Sequence, residues 1–347
     1  MKIRLLTLLL FAGHILSAQI TFIPDSIFEQ KLIDLNYDIF HDGWVITDSI
    51  NSIDSLDISS FNGQTDKITD LTGIEGFTNL QYLNCSNNKF DTLNLNNNQY
   101  LKHIICASDS IEVLMTDSLF SLDKLQCNSN NITELNLLGN PSLTELGCWD
   151  NQLDNLNLSN NIYLGYLNCG ENNITSLDVS MLDLYDLRCQ NNAISTINLD
   201  NNYSLEWLSC YNNNLQNINL TVNTNLIVLN VGNVSSQPSI YNNDLNSLDL
   251  SNNCNITTFY SKGNANLECI QVCDISAANN WNTQNIDTQH FFSIDCNYTA
   301  TNEGSERNQK IISIKDIYGR ESDIHTNSFL FYIYQNGRVK KRIILDN

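Results

Sequence analysis

The chain has 347 residues, with 17 Lys and Arg against 38 Asp and Glu, which gives a formal net charge of −21 at pH 7. Nucleic-acid-binding proteins need a basic footprint, so this composition argues against nucleic acid as a partner. Eight of the 17 basic residues lie from Arg307 onward, so the body is acidic and the tail is basic. The acidic body favours solubility or cation-rich partners.

The first 18 residues have the features of a secretory signal peptide. Lys2 and Arg4 form a basic start, residues 5–16 are mostly apolar, and small residues precede the expected cleavage site. The apolar run is too short to span a bilayer, and Gln19 rather than cysteine follows it, which disfavours a lipoprotein anchor. Since no later segment approaches about 18 consecutive apolar residues, we expect no transmembrane segment.

Residues 19–79 are predicted to form an N-terminal cap. Pro24-Asp25-Ser26 could start a helix. One face of this helix would carry Phe28, Leu32, Ile33 and Leu35. Two approximate half-repeats come next, at residues 53–58 and 68–74. We interpret the helix as a lid on the first coil of a repeat array rather than as a partner-binding element.

A repeat of 21 residues begins at Leu80. Its template is Leu-x-x-Leu-x-Cys-x-x-Asn-x-Leu-x-x-Leu-x-Leu-x-x-Asn-x-x. The cysteine position is occupied by Cys85, Cys106, Cys127, Cys148, Cys169, Cys189 and Cys210, all 21 residues apart except for one step of 20. The repeats open at Leu80, Leu101, Leu122, Leu143, Leu164, Leu184, Leu205 and Leu226. A fixed short period is the signature of a solenoid.

One such coil cannot fold alone. Its apolar positions two residues apart point to one side of an extended strand, and the asparagine three residues after the cysteine suits a turn. Each coil buries about six apolar side chains worth roughly 1.5–3 kcal/mol each. Ordering its backbone costs about 1–2 kcal/mol per residue, which is the larger sum. Stacking is therefore obligatory, and both ends of the stack need caps.

This pattern resembles the bacterial leucine-rich repeats, in the variant whose unit consists of two similar halves. The resemblance implies a mainly β solenoid over residues 80–266, with two short parallel strands per coil and an N-terminal helical cap. Residues 23–29, Ile-Pro-Asp-x-x-Phe-Glu, are similar to the start of that family's N-terminal module.

Two repeats depart from the template. The second has Asp109 and Leu119 where asparagine is expected, and Thr116 in place of an apolar residue. The eighth has Val231 in the cysteine position. Extra residues that include 235–238 then precede Leu245, and we interpret them as a loop that bulges from the stack.

Residues 267–297 contain the segment Cys-Ile-Gln-Val and a later Asp-Cys. This combination resembles the C-terminal cap of the same family, and the resemblance implies a disulfide between Cys269 and Cys296. An exported compartment permits such a bond. Cys273 departs from the family pattern, and Cys254 is the only other cysteine outside the repeated position, so a second bridge remains open.

Residues 298–309 are polar and are predicted to form a linker, followed by a small β module at residues 310–347. Strands are expected at the start of this module, at residues 329–334 and from Arg338 to Leu345, with Asn336-Gly337 as a hairpin turn. The tail resembles the C-terminal sorting domain of type IX secretion cargo, in its Asp-x-x-Gly-Arg-Glu … Leu-Phe-Tyr-Ile-Tyr form. The resemblance implies an export address that the type IX secretion machinery recognises. The alternative is a terminal hairpin packed on the cap.

The repeated cysteines could in principle bind a soft metal or form a redox chain. However, stacked strands hold their Cβ atoms about 4.7–4.9 Å apart, beyond the usual range for a disulfide. Cysteine also packs as a small apolar group. We therefore predict that these thiols are reduced core residues, and we predict no cofactor and no metal. The asparagine positions are predicted to form ladders inside the stack.

The outward positions of the first strand are the candidate site. One column reads Tyr82, His103, Lys124, Glu145, Tyr166, Asp186, Trp207, Val228, and the next reads Ser86, Ala107, Asn128, Trp149, Gly170, Gln190, Tyr211, Gly232. The opposite strand is blander. Because Trp and Tyr are common interface anchors, we predict a ligand-binding face carried by Tyr82, Trp149, Tyr166, Trp207 and Tyr211. Scattered surface aromatics are the alternative.

Catalysis has little support in the sequence. The histidines of the body lie far apart, and no hydrolase, metalloprotease, phosphate-loop or calcium-loop motif is present. We predict an exported, non-enzymatic protein, secreted or at the cell surface, that binds a protein or glycan ligand. The alternatives are a secreted enzyme acting on polysaccharide and a structural surface protein without a dedicated ligand.

Overall fold

The computed structural model describes residues 19–61, 63, 65–232 and 243–296, and within the tail residues 311–315, 320–321, 329–334 and 339–343. The predicted signal peptide, the loop at 235–238, the linker at 298–309 and the Asn336-Gly337 turn lie outside the described residues. The chain divides into two compact units, residues 1–296 and 297–347. No helix among the described residues is long and apolar enough to cross a membrane.

The N-terminal cap combines a two-stranded sheet with two short helices. Strand β1 (Ile20–Phe22) precedes helix α1 (Ser26–Asp34), and strand β2 (Trp44–Ile46) leads directly into helix α2 (Thr47–Ile50). β1 and β2 are antiparallel. A short 3₁₀ helix at Ile74–Gly76 follows before the repeats begin.

Helix α1 forms where the sequence predicts it. The Asp25 carboxylate accepts hydrogen bonds from the backbone N–H groups of Ile27 and Phe28 at 2.9 Å, and its second oxygen accepts from Thr69, which ties the helix start to the first coil. Phe28 and Leu32 are fully buried. The prediction for Leu35 was wrong: the helix ends at Asp34, and Leu35 is an exposed C-cap residue.

The body is a solenoid whose coils share one long parallel sheet. In chain order the strands after β2 are β3 (Ser55–Asp57), β4 (Tyr82–Asn84), β5 (Thr92–Asn94), β6 (His103–Ile105), β7 (Val113–Met115), β8 (Lys124–Gln126), β9 (Glu145–Gly147), β10 (Tyr166–Asn168), β11 (Asp186–Arg188), β12 (Trp207–Ser209), β13 (Val228–Asn230), β14 (Leu248–Leu250), β15 (Thr258–Tyr260), β16 (Cys269–Val272) and β17 (Phe291–Ser293). Ten of them form the main sheet, in the order β15-β13-β12-β11-β10-β9-β8-β6-β4-β3. The mainly β solenoid expected from the period is confirmed.

Each rung of the main sheet is in register with the next. The middle residue of every strand points inward, so that Leu125 pairs with Leu146 and Leu146 with Leu167. All three leucines are completely buried. The repeated cysteines, two residues after these leucines, form a second column inside the stack, where all seven are buried and free. The core therefore consists of stacked columns of leucine and cysteine.

The second half of the repeat is less regular. β5 and β7 pair as a two-stranded parallel sheet, and β14 pairs with β16 farther along. In the coils between, the corresponding segments are not assigned as strands, although Leu156 and Leu177 are still buried there. Outward side chains at these positions accept the backbone N–H two residues ahead, as Asn157 does from Ser159 at 3.1 Å. Such local bonds are an alternative to a strand ladder.

Buried asparagines join successive coils. The side-chain N–H₂ of Asn151 donates to the carbonyl of Cys148 in its own coil at 3.1 Å and to that of Cys127 in the preceding coil at 3.0 Å. Its carbonyl oxygen accepts from the backbone N–H of Ile132 at 3.0 Å. The same pattern recurs at Asn130, Asn172, Asn192 and Asn213. Each amide thereby satisfies backbone groups that the turn would otherwise leave unpaired.

The residue before each of seven successive ladder positions, from Asn88 to Asn213, has a left-handed backbone conformation, which is strained for a residue other than glycine. Positive φ values of 50° to 63° occur at Asn87, Ser108, Ser129, Asp150, Glu171, Asn191 and Asn212. The stack imposes this geometry, since the backbone N–H of Ser129 donates to the carbonyl of Trp149 in the next coil at 2.8 Å. The turn therefore fixes the backbone of the second residue after each cysteine.

The C-terminal cap contains β16, the helix α3 (Ile275–Ala278), a 3₁₀ helix at Thr283–Asn285 and β17. Cys269 and Cys296 form a disulfide with a Cα separation of 5.8 Å. A second disulfide joins Cys254 and Cys273, the pair that the sequence left open. Trp281 packs against Phe259 and Phe292 and closes the end of the core.

The tail unit is a three-stranded antiparallel sheet. β18 (Ile311–Lys315) pairs with β19 (Phe329–Tyr334), which pairs with β20 (Val339–Ile343). The register of β19 and β20 joins Ile333 to Val339, as a hairpin requires.

Asp109 is the one carboxylate at an asparagine-ladder position. It is completely buried, one oxygen accepts from the backbone N–H of Asn88, and the other has no hydrogen-bond partner among the described residues. Burial raises the pKa of Asp109 to about 7, although the Asn88 bond and the charge of Lys67 oppose the rise. The folded protein therefore holds this proton at pH values where the unfolded chain, with an ordinary carboxyl pKa of 3.8, has lost it.

We predict that Asp109→Asn removes a pH-dependent loss of stability. Because the folded pKa is raised, wild-type stability should fall between about pH 4 and pH 7 and then level off, with a total loss on the order of 4 kcal/mol at most. The asparagine variant should lack this fall and be the more stable protein at pH 8. Urea unfolding from pH 5.5 to 8.5 measures the difference, with the exposed Asp200→Asn as control. Parallel curves for Asp109→Asn and wild type would contradict the prediction.

Candidate functional site

The outward side of the main sheet carries three parallel columns of side chains, which together we call the sheet face. The leading column is the first residue of each strand, from Tyr82 to Val228, and the trailing column is the residue after each cysteine position, from Ser86 to Gly232. Between them runs a middle column, the third residue of each strand: Asn84, Ile105, Gln126, Gly147, Asn168, Arg188, Ser209, Asn230. The leading and trailing columns were predicted from the sequence, and the middle column was not.

The most organised part of the sheet face is centred on Arg188. Its guanidinium donates to Asp186 through Nε at 3.0 Å and through Nη2 at 2.8 Å. It also lies 4.7 Å from the ring centroid of Trp207 and 5.7 Å from that of Tyr166. Three adjacent strands, β10, β11 and β12, therefore contribute to one cluster of ring, cation and ring.

This cluster is nearly charge-neutral. The Asp186 hydrogen bond raises the pKa of Arg188 above its usual value, and Asp186 itself is buried beneath the guanidinium. Cation–π contacts of this kind contribute about 0.5–1 kcal/mol at exposed sites. The exposed ring of Trp207 and the half-buried ring of Tyr166 thus share one paired cation.

A shallow polar groove borders the cluster on the N-terminal side. It has a volume of about 250 Å³ and is lined by Gln126, Asn128, Glu145, Gly147, Tyr166 and Asn168. Gly147 leaves it open, since a Cβ at that position would lie 3.0 Å from the Asn128 amide. Lys124 pairs with Glu145 at its rim. Small-molecule pockets usually occupy about 300–1,000 Å³, so this groove suits part of an extended ligand better than an enclosed small molecule.

The five predicted aromatics do not form one patch. Tyr166 and Trp207 meet through Arg188, and Trp149 lies in the trailing column of the coil before Tyr166. Tyr211 lies in the trailing column of the same coil as Trp207, and burial and the charge of Glu171 raise its pKa.

Tyr82 stands apart from this group at the N-terminal end of the sheet. It is half-buried on β4, and burial and the charge of Asp57 raise its pKa. Four strand pairings separate β4 from β10.

Arg188 is the functional candidate that the sequence analysis missed. A signal for it existed: Arg188 lies between the inward Leu187 and Cys189, so strand alternation points it outward. Its partners could not be predicted in the same way. The two-residue offset that brings Arg188 back over Asp186, between rings from two neighbouring coils, depends on side-chain packing.

One constellation resembles hydrolytic chemistry but is inaccessible. Ser261 Oγ lies 2.9 Å from His290 Nδ1, and His290 Nε2 lies 3.7 Å from Asp287 Oδ2. However, both Ser261 and the His290 side chain are 0% exposed, so no substrate can reach the hydroxyl. Burial lowers the pKa of His290 and favours the neutral ring. This contact holds the last coil to the C-terminal cap.

The cysteine column offers no accessible chemistry either. Burial raises the pKa of every thiol in it, to about 12 for Cys127 and Cys189, so the reactive thiolate is suppressed. In the part of the chain that the structure describes, no group of three His, Cys, Asp or Glu side chains could hold a metal ion.

We predict that a thiol reagent labels none of the seven repeat cysteines in the folded protein and all seven after unfolding. Burial and thiol protonation both block the reaction. Titration with a chromogenic aromatic disulfide before and after adding guanidinium measures the count. Rapid labelling of even one cysteine in the folded protein would contradict the assignment of this column to the core.

The chain matches no protein-family model and no curated protein. Among solved structures it is similar to the functional domain of InlJ from Listeria monocytogenes, described as including a cysteine ladder, with 24% identity, a TM-score of 0.53 and coverage of 79% of this chain and 70% of that one. A leucine-rich repeat protein from Leptospira interrogans shares 21% identity with a TM-score of 0.55, over 71% of this chain and 62% of that one.

A third structure, internalin C2 from Listeria monocytogenes str. 4b F2365, has 24% identity and a TM-score of 0.51, over 60% of this chain and 96% of that one. At these identities the likeness shows the fold alone. The fold is that of a leucine-rich repeat solenoid, as the repeat template predicted.

Proposed function

We propose that this protein is an exported recognition protein that binds a protein or glycan ligand without covalent chemistry, through the sheet face. The observation that carries the proposal is the Tyr166–Arg188–Trp207 cluster, where two rings contact a guanidinium that Asp186 neutralises. The rings offer a ligand a stacking surface whose neighbouring cation is already paired, and Tyr, Trp and Arg are common anchors in interfaces.

The neighbouring groove supports the same interpretation. Amide side chains of Gln126, Asn128 and Asn168 and the carboxylate of Glu145 line it beside the Tyr166 ring. A stacking surface next to hydrogen-bonding groups suits both an aromatic-anchored peptide and a sugar ring. The buried Ser261 and the protonated thiols leave catalysis without an accessible nucleophile in these two places.

Export is the second part of the proposal. Two disulfides in the C-terminal cap are expected of a protein that matures outside the cytosol. We assign residues 1–18 to a signal peptide, 19–79 to the N-terminal cap, 80–266 to the repeats and 267–297 to the C-terminal cap. Residues 298–309 would be a linker, and residues 310–347, which contain the antiparallel sheet β18–β20, would be a sorting domain for type IX secretion.

We predict that the triple variant Trp149→Ala, Tyr166→Ala, Trp207→Ala loses ligand capture but not its fold. Interface aromatics often contribute more than 2 kcal/mol each, so capture should fall at least about tenfold. The immobilised full-length chain is tested against a glycan array and against extracts of surface proteins, and circular dichroism on heating checks the fold.

A matched control for this experiment replaces three exposed aromatics of the caps, Phe40, Trp44 and Phe291, with alanine. It should capture as well as wild type. Unchanged capture by the sheet-face variant would contradict the proposed site and favour a structural surface protein. Protease treatment of the captured material separates a protein ligand from a glycan.

We also predict that deletion of residues 310–347 stops export in a bacterium that has the type IX machinery. The deleted chain should accumulate in the periplasm, since its signal peptide is intact. Cell fractionation and immunoblotting measure its location. Release of the shortened chain at the wild-type level would contradict the sorting role of the tail.

A further inference from the structure

A second surface of the solenoid exposes a row of large apolar and aromatic side chains. Six large side chains lie at the turn that leads into the strands of the main sheet, and each is 53% to 74% exposed: Tyr100, Phe120, Ile162, Tyr163, Met181, Tyr203. They belong to the coils of β6, β8, β10, β11 and β12, and the coil of β9 has the exposed Pro141 there. We call this row the turn ridge. It shares no residue with the sheet face.

Hydrogen bonds join the successive turns that carry the turn ridge. The hydroxyl of Ser142 donates to the carbonyl of Phe120 in the preceding coil at 2.9 Å, and the Asn225 amide donates to the carbonyl of Tyr203 at 3.0 Å. Beneath the ridge, the buried Asn161 amide donates to the carbonyl of Asn140 at 2.8 Å. These bonds hold successive turns in contact. Since strands stack about 4.7–4.9 Å apart, six coils give a ridge roughly 24 Å long.

Two successive turns of the ridge also pack closely against each other at one point. Gly139 stands where a Cβ would lie 2.0 Å from the backbone oxygen of Asp117. The two turns approach so closely that no other residue type fits without moving the backbone. The ridge is therefore part of the stack and not a loose edge.

Carboxylates flank the ridge on both sides. Three residues before Phe120, Met181 and Tyr203 stand Asp117, Asp178 and Asp200, and two or three residues after them stand Asp123, Asp183 and Glu206. All six except the half-buried Asp123 are exposed. Within the same distance of any ridge residue, the only Lys or Arg is Lys102. In three of the six coils, an apolar ridge residue therefore has a carboxylate on each side of it along the chain.

We propose that the turn ridge binds a basic polypeptide segment in which apolar residues alternate with Lys or Arg. The apolar side chains would cover the ridge, and the cations would pair with the flanking carboxylates. Nucleic acid and anionic lipid carry the wrong charge for these flanks. A second copy of this chain presents the same acidic surface and has a net charge of −21, so it would be repelled.

The test uses the full-length chain and a fluorescein-labelled peptide of alternating Lys and Phe. A length of about ten residues is enough to cover the ridge when the peptide is extended. The ridge variant is Phe120→Ser, Tyr163→Ser, Tyr203→Ser. Its control is Phe40→Ser, Trp44→Ser, Phe291→Ser, which removes exposed aromatics from the caps instead. Neither variant changes the net charge, so non-specific attraction between the acidic protein and the peptide is the same in both.

We expect the dissociation constant, measured by fluorescence anisotropy, to rise about tenfold or more in the ridge variant and to change less than about threefold in the control. A second pair of variants tests the carboxylates beside the ridge. The ridge set is Asp117→Asn, Asp178→Asn, Asp200→Asn, and the control set replaces exposed residues elsewhere: Asp48→Asn, Asp66→Asn, Asp154→Asn. The ridge set should weaken binding more than the control set, although both remove the same charge.

Three results would overturn the proposal. Equal affinity of the ridge variant and its aromatic control would show that the peptide binds elsewhere. Equal affinity of a Glu–Phe peptide for the wild-type protein would show that the carboxylates do not select cations. The wild-type protein is also tested for co-sedimentation with phosphatidylcholine vesicles and for a dimer in sedimentation velocity. If the ridge variant abolishes co-sedimentation, the occupant is a lipid surface. If it abolishes a dimer, the occupant is a second copy of the chain.

Discussion

Every other feature of this structure depends on how the buried asparagine amides join one coil to the next. A coil on its own cannot repay the entropy of ordering its backbone. The amide of Asn151 bonds to carbonyls of two successive coils and accepts from a backbone N–H group of the preceding one. One side chain therefore stabilises the turn of its own coil and links that coil to the preceding one. Repeating this arrangement produces a stack in which each coil is stable only because its neighbours are present.

This arrangement explains the composition of the core. Once the turns are fixed, the position next to each turn has room for a small side chain that needs no hydrogen-bond partner. Cysteine meets that requirement, and in the eighth repeat Val231 does so equally well, fully buried in the same column. The thiols of the column are thus selected for size and not for redox chemistry. The four cysteines outside the column behave differently and form both disulfides of the C-terminal cap.

Much of this could be predicted from the sequence because the period determines the direction of each side chain. The 21-residue spacing predicted the stack and its core columns. The bounds of the two caps came from the family resemblance and stay predictions. Local details that depend on competition between bonds could not be predicted in this way. The positive φ falls on the residue before the ladder asparagine, because the inter-coil backbone bond is made there. Helix α1 ends before Leu35, and the second strand of the repeat forms only in some coils.

The surface was harder to predict than the core, since a column gives only a direction. Arg188 points outward by alternation, but its position between Tyr166 and Trp207 requires the offset between neighbouring rungs. The turn ridge was equally hard to predict from the sequence. Its residues fall at irregular positions of the template, one to three before the opening leucine, so no single column reveals them. Only the stacked turns bring Phe120, Met181 and Tyr203 into one row with carboxylates on both flanks. A repeat that holds its backbone so firmly leaves each outward position free to vary. One solenoid can therefore carry two chemically different surfaces, a neutralised aromatic cluster on the sheet and an apolar, acid-flanked row at the turn.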